Sequence, residues 1–147
     1  MWYNSIIVAI LRSPLHAMLG STFLLITYTG RKSGKQYTVP TNFVREDDVL
    51  YVTSRRERTW WRNMLDGAPV KVRMQGRDYA ATASAIADDT GVAAKLPMYL
   101  SHVPGLVKYY DVAVDADGTF EAESIARAAH VRVLVEIRLN GNTSTAF

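Results

Sequence analysis

The turn at residues 29–35 combines residue types that bind anions. Gly30 and Gly34 allow a tight bend that presents backbone N–H groups, and residues 31–35 supply three cations and one hydroxyl. Fixed donors together with positive charge are the chemistry that a phosphate requires. The residues that we assign to phosphate binding are Gly30, Arg31, Lys32, Ser33, Gly34 and Lys35. The spacing differs from that of a Walker loop, and a solvated basic hairpin turn is equally compatible with it.

A second segment, residues 54–63, places two tryptophans beside four arginines. Trp60 and Trp61 can stack on an aromatic ligand, and the arginines can pair with its phosphate or carboxylate groups. Two alternatives stay open. Either the tryptophans close one end of the core while the arginines are solvated, or the segment binds single-stranded nucleic acid. Residues 31–73 hold ten Lys or Arg against five Asp or Glu, so we expect an anionic ligand.

A third segment, residues 99–110, contains Tyr99, His102, Tyr109 and Tyr110. A tyrosine or histidine here can donate a proton to a reduced substrate, although such side chains commonly pack with only the polar tip in water. Other chemistries find no support. The chain has no cysteine, and its three histidines lack the spacing of metal ligands, so we expect no metal site. The chain contains no GxSxG motif, so the sequence gives no indication of a hydrolase.

The pattern of apolar residues predicts a mainly β protein with peripheral helices. Six segments alternate with a period of two and are joined without a β-α-β order, which favours a six-stranded antiparallel split β-barrel. Pro40 indicates an edge or a bulge in the second strand. The predicted strands are 22–29, 36–44, 49–54, 70–74, 79–87 and 131–139, and the later helices are 59–65, 88–102 and 121–130. We expect one domain over residues 1–147.

The two ends of the chain receive separate predictions. Residues 1–20 are predicted as a helical segment that covers the barrel, and residues 140–147 as a flexible tail. The apolar run Ser5–Leu11 is much shorter than the roughly 20 residues of a spanning helix, and it lacks the features of a signal peptide. Peripheral membrane contact through this helix is the alternative. We therefore expect a cytoplasmic protein, with association at the inner face of the membrane left open.

The order of these segments resembles the deazaflavin-dependent nitroreductase family, which includes quinone reductases. That family belongs to the split-barrel flavoproteins related to pyridoxamine phosphate oxidase. The resemblance covers roughly residues 10–86 and implies a split barrel that binds a deazaflavin (coenzyme F-420), with FMN as the alternative. The segments that carry it are Ser13–His16, Leu24–Lys35, Pro40, Val52–Ser54, Trp60–Met64 and Ala68–Val72.

The resemblance also implies roles for particular residues. The basic turn corresponds to the family's phosphate site, and Ser54 corresponds to a serine near the deazaflavin ring. Trp60, Trp61 and Asn63 correspond to the family's Trp-Tyr-x-Asn helix. The cofactor-binding residues predicted outside the turn are Ser54, Arg55, Arg56, Trp60, Trp61 and Asn63.

The predicted catalytic residues are Ser54 and Tyr109, the latter as a proton donor. Tyr109 matches one of the family's two late tyrosines, whereas Leu106 falls at the other position. Two further departures are Tyr37, where a basic residue is common, and the short run Arg55–Arg58, which replaces a glycine-rich loop.

The resulting hypothesis is a deazaflavin-dependent oxidoreductase that transfers a hydride to a small acceptor such as a quinone or a nitro compound. The alternatives are an FMN-dependent split-barrel reductase and a non-catalytic binder of an anionic lipid or nucleic acid. The expected partner is a small-molecule electron acceptor, with no nucleic acid, and a homodimer is left open.

Overall fold

In a computed structural model that describes residues 23–140, seven antiparallel strands form one sheet in the order β2-β1-β5-β6-β7-β4-β3. Helices α1 (Asp89–Ser101) and α2 (Ala122–His130) follow the sixth strand. Two 3₁₀ helices lie at Trp60–Met64 and Pro104–Leu106. The strands are β1 (Phe23–Thr29), β2 (Gln36–Asn42), β3 (Val44–Glu46), β4 (Val49–Arg55), β5 (Ala68–Met74), β6 (Arg77–Ile86) and β7 (Arg132–Leu139).

The predicted helical segment at residues 1–20 lies outside the described residues, as does all but the first residue of the predicted tail. The proposed membrane contact of that segment therefore stays a prediction. Within residues 23–140, none of the helices is long and apolar enough to cross a membrane.

The sheet curls because a single residue joins its two opposite edges. Strand β2 pairs with β1 at one edge, and β3 pairs with β4 at the other, yet only Phe43 separates Asn42 from Val44. With one residue between them, the Cα atoms of Asn42 and Val44 are at most about 7 Å apart, so the edges must come together. Phe43 is buried in the interior core, where it fills the junction. The mainly β, split-barrel prediction is thus confirmed.

The predicted count of six strands is wrong by one. The segment 36–44 was predicted as a continuous strand, but its residues pair with two different neighbours on either side of Phe43, so it forms part of both β2 and β3. Sequence periodicity does not register a change of pairing partner, because the backbone stays extended across the junction. Pro40 lies in edge strand β2, as its missing N–H predicts.

Alternate strand residues fill the inside of the barrel. Leu24, Ile26, Val52 and Val72 are fully buried there, and the 3₁₀ helix at Trp60–Met64 closes one end with its apolar side chains. Burial of each such side chain stabilises the fold by about 1.5–3 kcal/mol.

A second core lies on the outer face of β4 and β7, beneath α1 and α2. Leu134 of β7 is fully buried in it, so this strand is covered on both faces. Tyr99 of α1 is only 2% exposed in the same core. Burial raises the pKa of the Tyr99 phenol well above its usual value, and the nearby Tyr110 raises it further.

Arg56, which immediately follows β4, fastens α2 to the sheet. Its Nε donates to the carbonyl of His130 at 2.9 Å, and its guanidinium also donates to the carbonyls of Ala129, Ala87 and Arg132. Two of these carbonyls end α2, where a cation also offsets the negative end of the helix dipole. Arg56 therefore stabilises the fold by hydrogen-bonding backbone carbonyls at the end of α2, after β6 and in β7.

Replacement of Arg56 by Ala should lower the free energy of unfolding by about 1.5–3 kcal/mol, because partly buried carbonyls lose a charged donor. Chemical denaturation measures the change. Arg127→Ala is the matched control. Arg127 lies on α2, its side chain is 64% exposed, and its contact with Glu121 is 4.0 Å long. Equal effects of the two substitutions would contradict the role assigned to Arg56.

The free energy of unfolding should fall as pH rises above about 10, because unfolded tyrosine ionises there while folded Tyr99 resists ionisation. Tyr99→Phe should flatten this slope, leaving a part from Tyr28, whose pKa burial also raises. The exposed Tyr109→Phe serves as the control. Denaturation curves at several pH values check the prediction, and an unchanged slope in Tyr99→Phe would refute it.

Candidate active site

A cavity of about 340 Å³ opens beside Val44, the residue at which β3 begins. Strand β3 pairs only with Val49–Tyr51, so the remaining residues of β4 have no partner strand on that side. Strand β2 runs past this gap and contributes Val39–Asn42 to the opposite wall. The break in strand pairing therefore creates the cavity.

Ser54 and Trp60, both predicted to bind the cofactor, lie together in the cavity wall. The Trp60 Nε1 donates to Ser54 Oγ at 3.0 Å, and Ser54 Oγ donates to the carbonyl of Arg55 at 3.2 Å. Ser54 is 6% exposed, so its hydroxyl is oriented by these two bonds rather than by bulk water. The pair presents one fixed polar atom beside a broad aromatic side chain.

Trp61 and Arg56, both predicted to bind the cofactor, do not line the cavity, and their predicted role stays a prediction. Successive residues of a 3₁₀ helix point about 120° apart, so Trp60 reaches the cavity while Trp61 packs in the barrel core at 4% exposure. The Arg62 guanidinium lies 4.8 Å from the Trp61 ring centroid. Arg56 is engaged by the backbone carbonyls described above. The remaining predicted arginine, Arg55, does line the cavity.

The basic turn is held by the same 3₁₀ helix. Asn63 Oδ1 accepts from the Arg31 backbone N–H at 2.8 Å, and Asn63 Nδ2 donates to the carbonyl of Trp60 at 2.9 Å. The Arg31 guanidinium donates to the carbonyl of Arg62 at 2.8 Å. Asn63 therefore positions the turn relative to Trp60, whereas its prediction as a cofactor ligand remains untested.

The shape of the turn depends on its two glycines. Gly34 adopts φ of 71°, a conformation that favours glycine, and its N–H donates to the carbonyl of Gly30 at 3.0 Å. A Cβ at Gly30 would lie 2.7 Å from Ser33 Oγ. Lys32 and Lys35 are exposed and form no ion pair with the residues that the structure describes. The ammonium groups of Lys32 and Lys35 are thus available to bind an anion.

A row of aromatic side chains joins the turn to the cavity. Ser33 Oγ hydrogen-bonds the Tyr37 hydroxyl at 3.1 Å, and Tyr37 stacks on Tyr28 with ring centroids 5.6 Å apart. Tyr28 in turn lies 6.4 Å from Trp60. Tyr37 and Thr41 share the inward face of β2, four residues and therefore about 13 Å apart. A ligand with several bonds between an anionic group and a ring can span this distance.

The far wall of the cavity contains three tyrosines. Tyr109 is 65% exposed and contacts Tyr110 edge to face, with centroids 5.7 Å apart. Tyr110 is buried, and its hydroxyl hydrogen-bonds Thr53 Oγ1 at 2.5 Å. Tyr99 lies behind it, with ring centroids 6.2 Å apart. The predicted proton donor, Tyr109, is therefore the accessible member of the group.

Sequence reasoning missed two residues of this wall, Thr53 and Arg132. In the sequence, Arg132 alternates with the apolar residues of the last strand, a pattern that carries no sign of a cavity. Only the pairing of β4 with β7, which sets Arg55 opposite Arg132, identifies it as a cavity residue.

The sequence model of the F420H(2)-dependent quinone reductase family matches residues 13–115. Comparison with curated proteins finds no match. Among solved structures, the FAD and heme binding protein from Mycobacterium smegmatis has a TM-score of 0.55 at 14% identity, covering 90% of this chain and 69% of its own. A putative pyridoxamine 5'-phosphate oxidase from Listeria innocua has a TM-score of 0.50 at 14% identity, covering 94% of both chains. A protein described as a domain-swapped dimer has a TM-score of 0.52 at 17% identity, covering 95% and 97%.

The geometry fits the cofactor that the family implies. The turn offers two unpaired lysines and the backbone N–H groups of Lys32 and Ser33 to a phosphate, whereas its other backbone N–H groups already donate to described residues. The aromatic row leads from the turn to a cavity that borders Ser54 and Trp60. The structural relatives are too distant in sequence to show more than the fold. The family match, which spans well over half of the chain, shows that this protein belongs to the F420H(2)-dependent quinone reductase family and is a deazaflavin-dependent oxidoreductase.

Proposed function

We propose that this enzyme reduces a quinone or a nitro compound in the cavity beside Ser54 and Trp60. The observation that carries the proposal is the connection of an unpaired basic turn to a polar and aromatic cavity through Tyr37, Tyr28 and Trp60. When bound, the reduced deazaflavin supplies the hydride. The protein must then hold the phosphate, orient the acceptor and provide a proton.

Phosphate binding belongs to the turn. Lys32 and Lys35 supply charge, while the Ser33 hydroxyl and the backbone N–H groups of Lys32 and Ser33, which donate to no described residue, supply directed donors. Arg31 is already bonded through its main chain and side chain to the 3₁₀ helix, so it mainly holds the turn in place. Asn63, which lies on the 3₁₀ helix, also holds the turn in place by accepting from the Arg31 backbone N–H.

Acceptor binding belongs to the cavity. Trp60 offers an aromatic surface, and Ser54 offers a hydroxyl whose orientation is set by Trp60 Nε1. Tyr109 borders the same space and its side chain is exposed, so it can pass a proton between the acceptor oxygen and solvent. Ser54 is therefore assigned to orientation and Tyr109 to proton transfer.

FMN is the second cofactor that the turn would accept, because its phosphate presents the same anionic group. The cationic surface next to the cavity favours the deazaflavin, whose tail bears additional carboxylates. Arg55 and Arg58 line the cavity and are exposed, whereas Arg56 and Arg62 have other contacts. Each exposed pair contributes only about 0.2–1 kcal/mol, so the preference should be about tenfold or less and should weaken in salt.

The double substitution Lys32→Ala and Lys35→Ala should weaken deazaflavin binding by roughly a hundredfold or more, because two charged donors to the phosphate are lost. The melting temperature without cofactor should barely change, since both side chains are exposed. Fluorescence titration measures the affinity. Lys71→Ala with Arg77→Ala is the control, because it removes the same charge at exposed positions outside the cavity lining. Wild-type affinity in the first variant would overturn the phosphate assignment.

Anaerobic mixing of the protein and reduced deazaflavin with a quinone, and separately with a nitroaromatic compound, tests the reaction. We expect cofactor oxidation that requires both protein and acceptor. Tyr109→Phe should slow turnover by about 10²-fold or more if Tyr109 is the proton donor, with little change in cofactor affinity. Tight cofactor binding without oxidation by either acceptor class would reject the proposed function while leaving the cofactor site intact.

A further inference from the structure

Arg132 is a nearly buried cation in the cavity wall. It is 8% exposed, and its guanidinium carbon lies 4.1 Å from the Tyr110 ring centroid and 6.0 Å from that of Tyr109. Within residues 23–140, no hydrogen bond or ion pair engages its guanidinium nitrogens. Tyrosine faces offset part of the lost hydration, and the guanidinium nitrogens are not fully enclosed, so they reach the cavity that Arg132 lines. A largely buried charge is costly unless something pairs with it, and an anion in the cavity can do so.

The surroundings of Arg132 add positive charge rather than balance it. Arg55 lies directly opposite Arg132 in the pairing of β4 with β7, and like charges in this position are destabilising. Arg58 lines the same cavity. Glu57 pairs with Arg55 at 2.8 Å, but it is exposed and does not line the cavity. The cavity therefore carries an excess of cations that its own carboxylates do not neutralise.

The backbone beneath Arg132 is held rigidly. Arg56 donates to the Arg132 carbonyl at 2.8 Å, and the strand pairing fixes Arg132 opposite Arg55. The guanidinium is stacked on Tyr110, whose hydroxyl is itself tied to Thr53. Its planar fork is thus preorganised, which suits the two parallel hydrogen bonds of a carboxylate.

We propose that Arg132 binds a carboxylate group on the acceptor, so that the enzyme prefers acidic aromatic acceptors over neutral ones. This inference rests on the proposed function, which identifies the molecule bound in the cavity as the electron acceptor. The aromatic part of that molecule is recognised by Tyr109 and Trp60, which border the same cavity. The cofactor's carboxylate tail is a poorer match for Arg132, because that tail is long and hydrated whereas Arg132 is buried. Exposed Arg55 and Arg58 suit the tail instead.

The direct test compares para-nitrobenzoate with para-nitrobenzyl alcohol, which differ in charge but little in size. Binding of each is measured by calorimetry on the protein with oxidised deazaflavin bound. Wild type should bind the carboxylate at least about tenfold more tightly, since one charge-assisted pair accounts for that ratio. Arg132→Met should abolish the preference, and Arg132→Lys should retain part of it. Arg138→Met is the control, because Arg138 lies on the same strand with a side chain 66% exposed.

Two further measurements separate the alternatives. Thermal unfolding of Arg132→Met should show an unchanged or raised melting temperature, because removal of Arg132 relieves its repulsion by Arg55. If that variant fails to fold, the ratio of the affinities for para-nitrobenzoate and para-nitrobenzyl alcohol is measured in Arg132→Lys and Arg132→Gln instead. The affinity of the Arg132 variants for the cofactor should match that of wild type. If they lose as much affinity as the Lys32 and Lys35 double variant, Arg132 binds the cofactor and the inference is overturned.

An unchanged carboxylate preference in Arg132→Met would also overturn the inference. Failure of the proposed function looks different from either result. In that case the carboxylate would still bind through Arg132, but reduced deazaflavin would not be oxidised by any acceptor.

Discussion

The architecture depends on the single-residue link at Phe43. Because β2 and β3 occupy opposite edges of one sheet, a one-residue connection is possible only if the sheet curls until those edges meet. The apolar side chain of Phe43 stabilises the junction from within. The three-residue length of β3 then determines where the closure stops. Beyond Tyr51 the two edges separate, and the opening between them is the cavity.

The 3₁₀ helix at Trp60–Met64 connects this opening to the basic turn at residues 29–35. Consecutive residues of the helix face different directions, so one short segment supplies a cavity wall in Trp60, a core residue in Trp61 and a tether to the turn in Asn63. Displacement of the helix would therefore disturb both proposed binding regions at once. This coupling explains why the tryptophans and the asparagine occur together in the sequence.

The arginines near β4 are close in sequence but differ in their contacts. Arg56 stabilises helix α2, Arg62 covers Trp61, and Arg55 borders the cavity. Net charge alone therefore overstates the number of cations available to a ligand. The buried Arg132, contributed by a distant strand, adds a cation that the local charge pattern does not reveal.

The amino-acid sequence by itself determined the local features of this protein. Alternating apolar residues specified the strands, Gly30 and Gly34 specified the tight basic turn, and Pro40 specified an edge strand, because each depends on backbone geometry and nearest neighbours. The order of motifs was also sufficient to identify the cofactor class. Tertiary structure decided which side chains share a cavity. It divided the predicted second strand at Phe43, turned Trp61 into the core and brought Arg132 opposite Arg55. These outcomes depend on pairing between segments far apart in the chain, which periodicity within one segment does not encode.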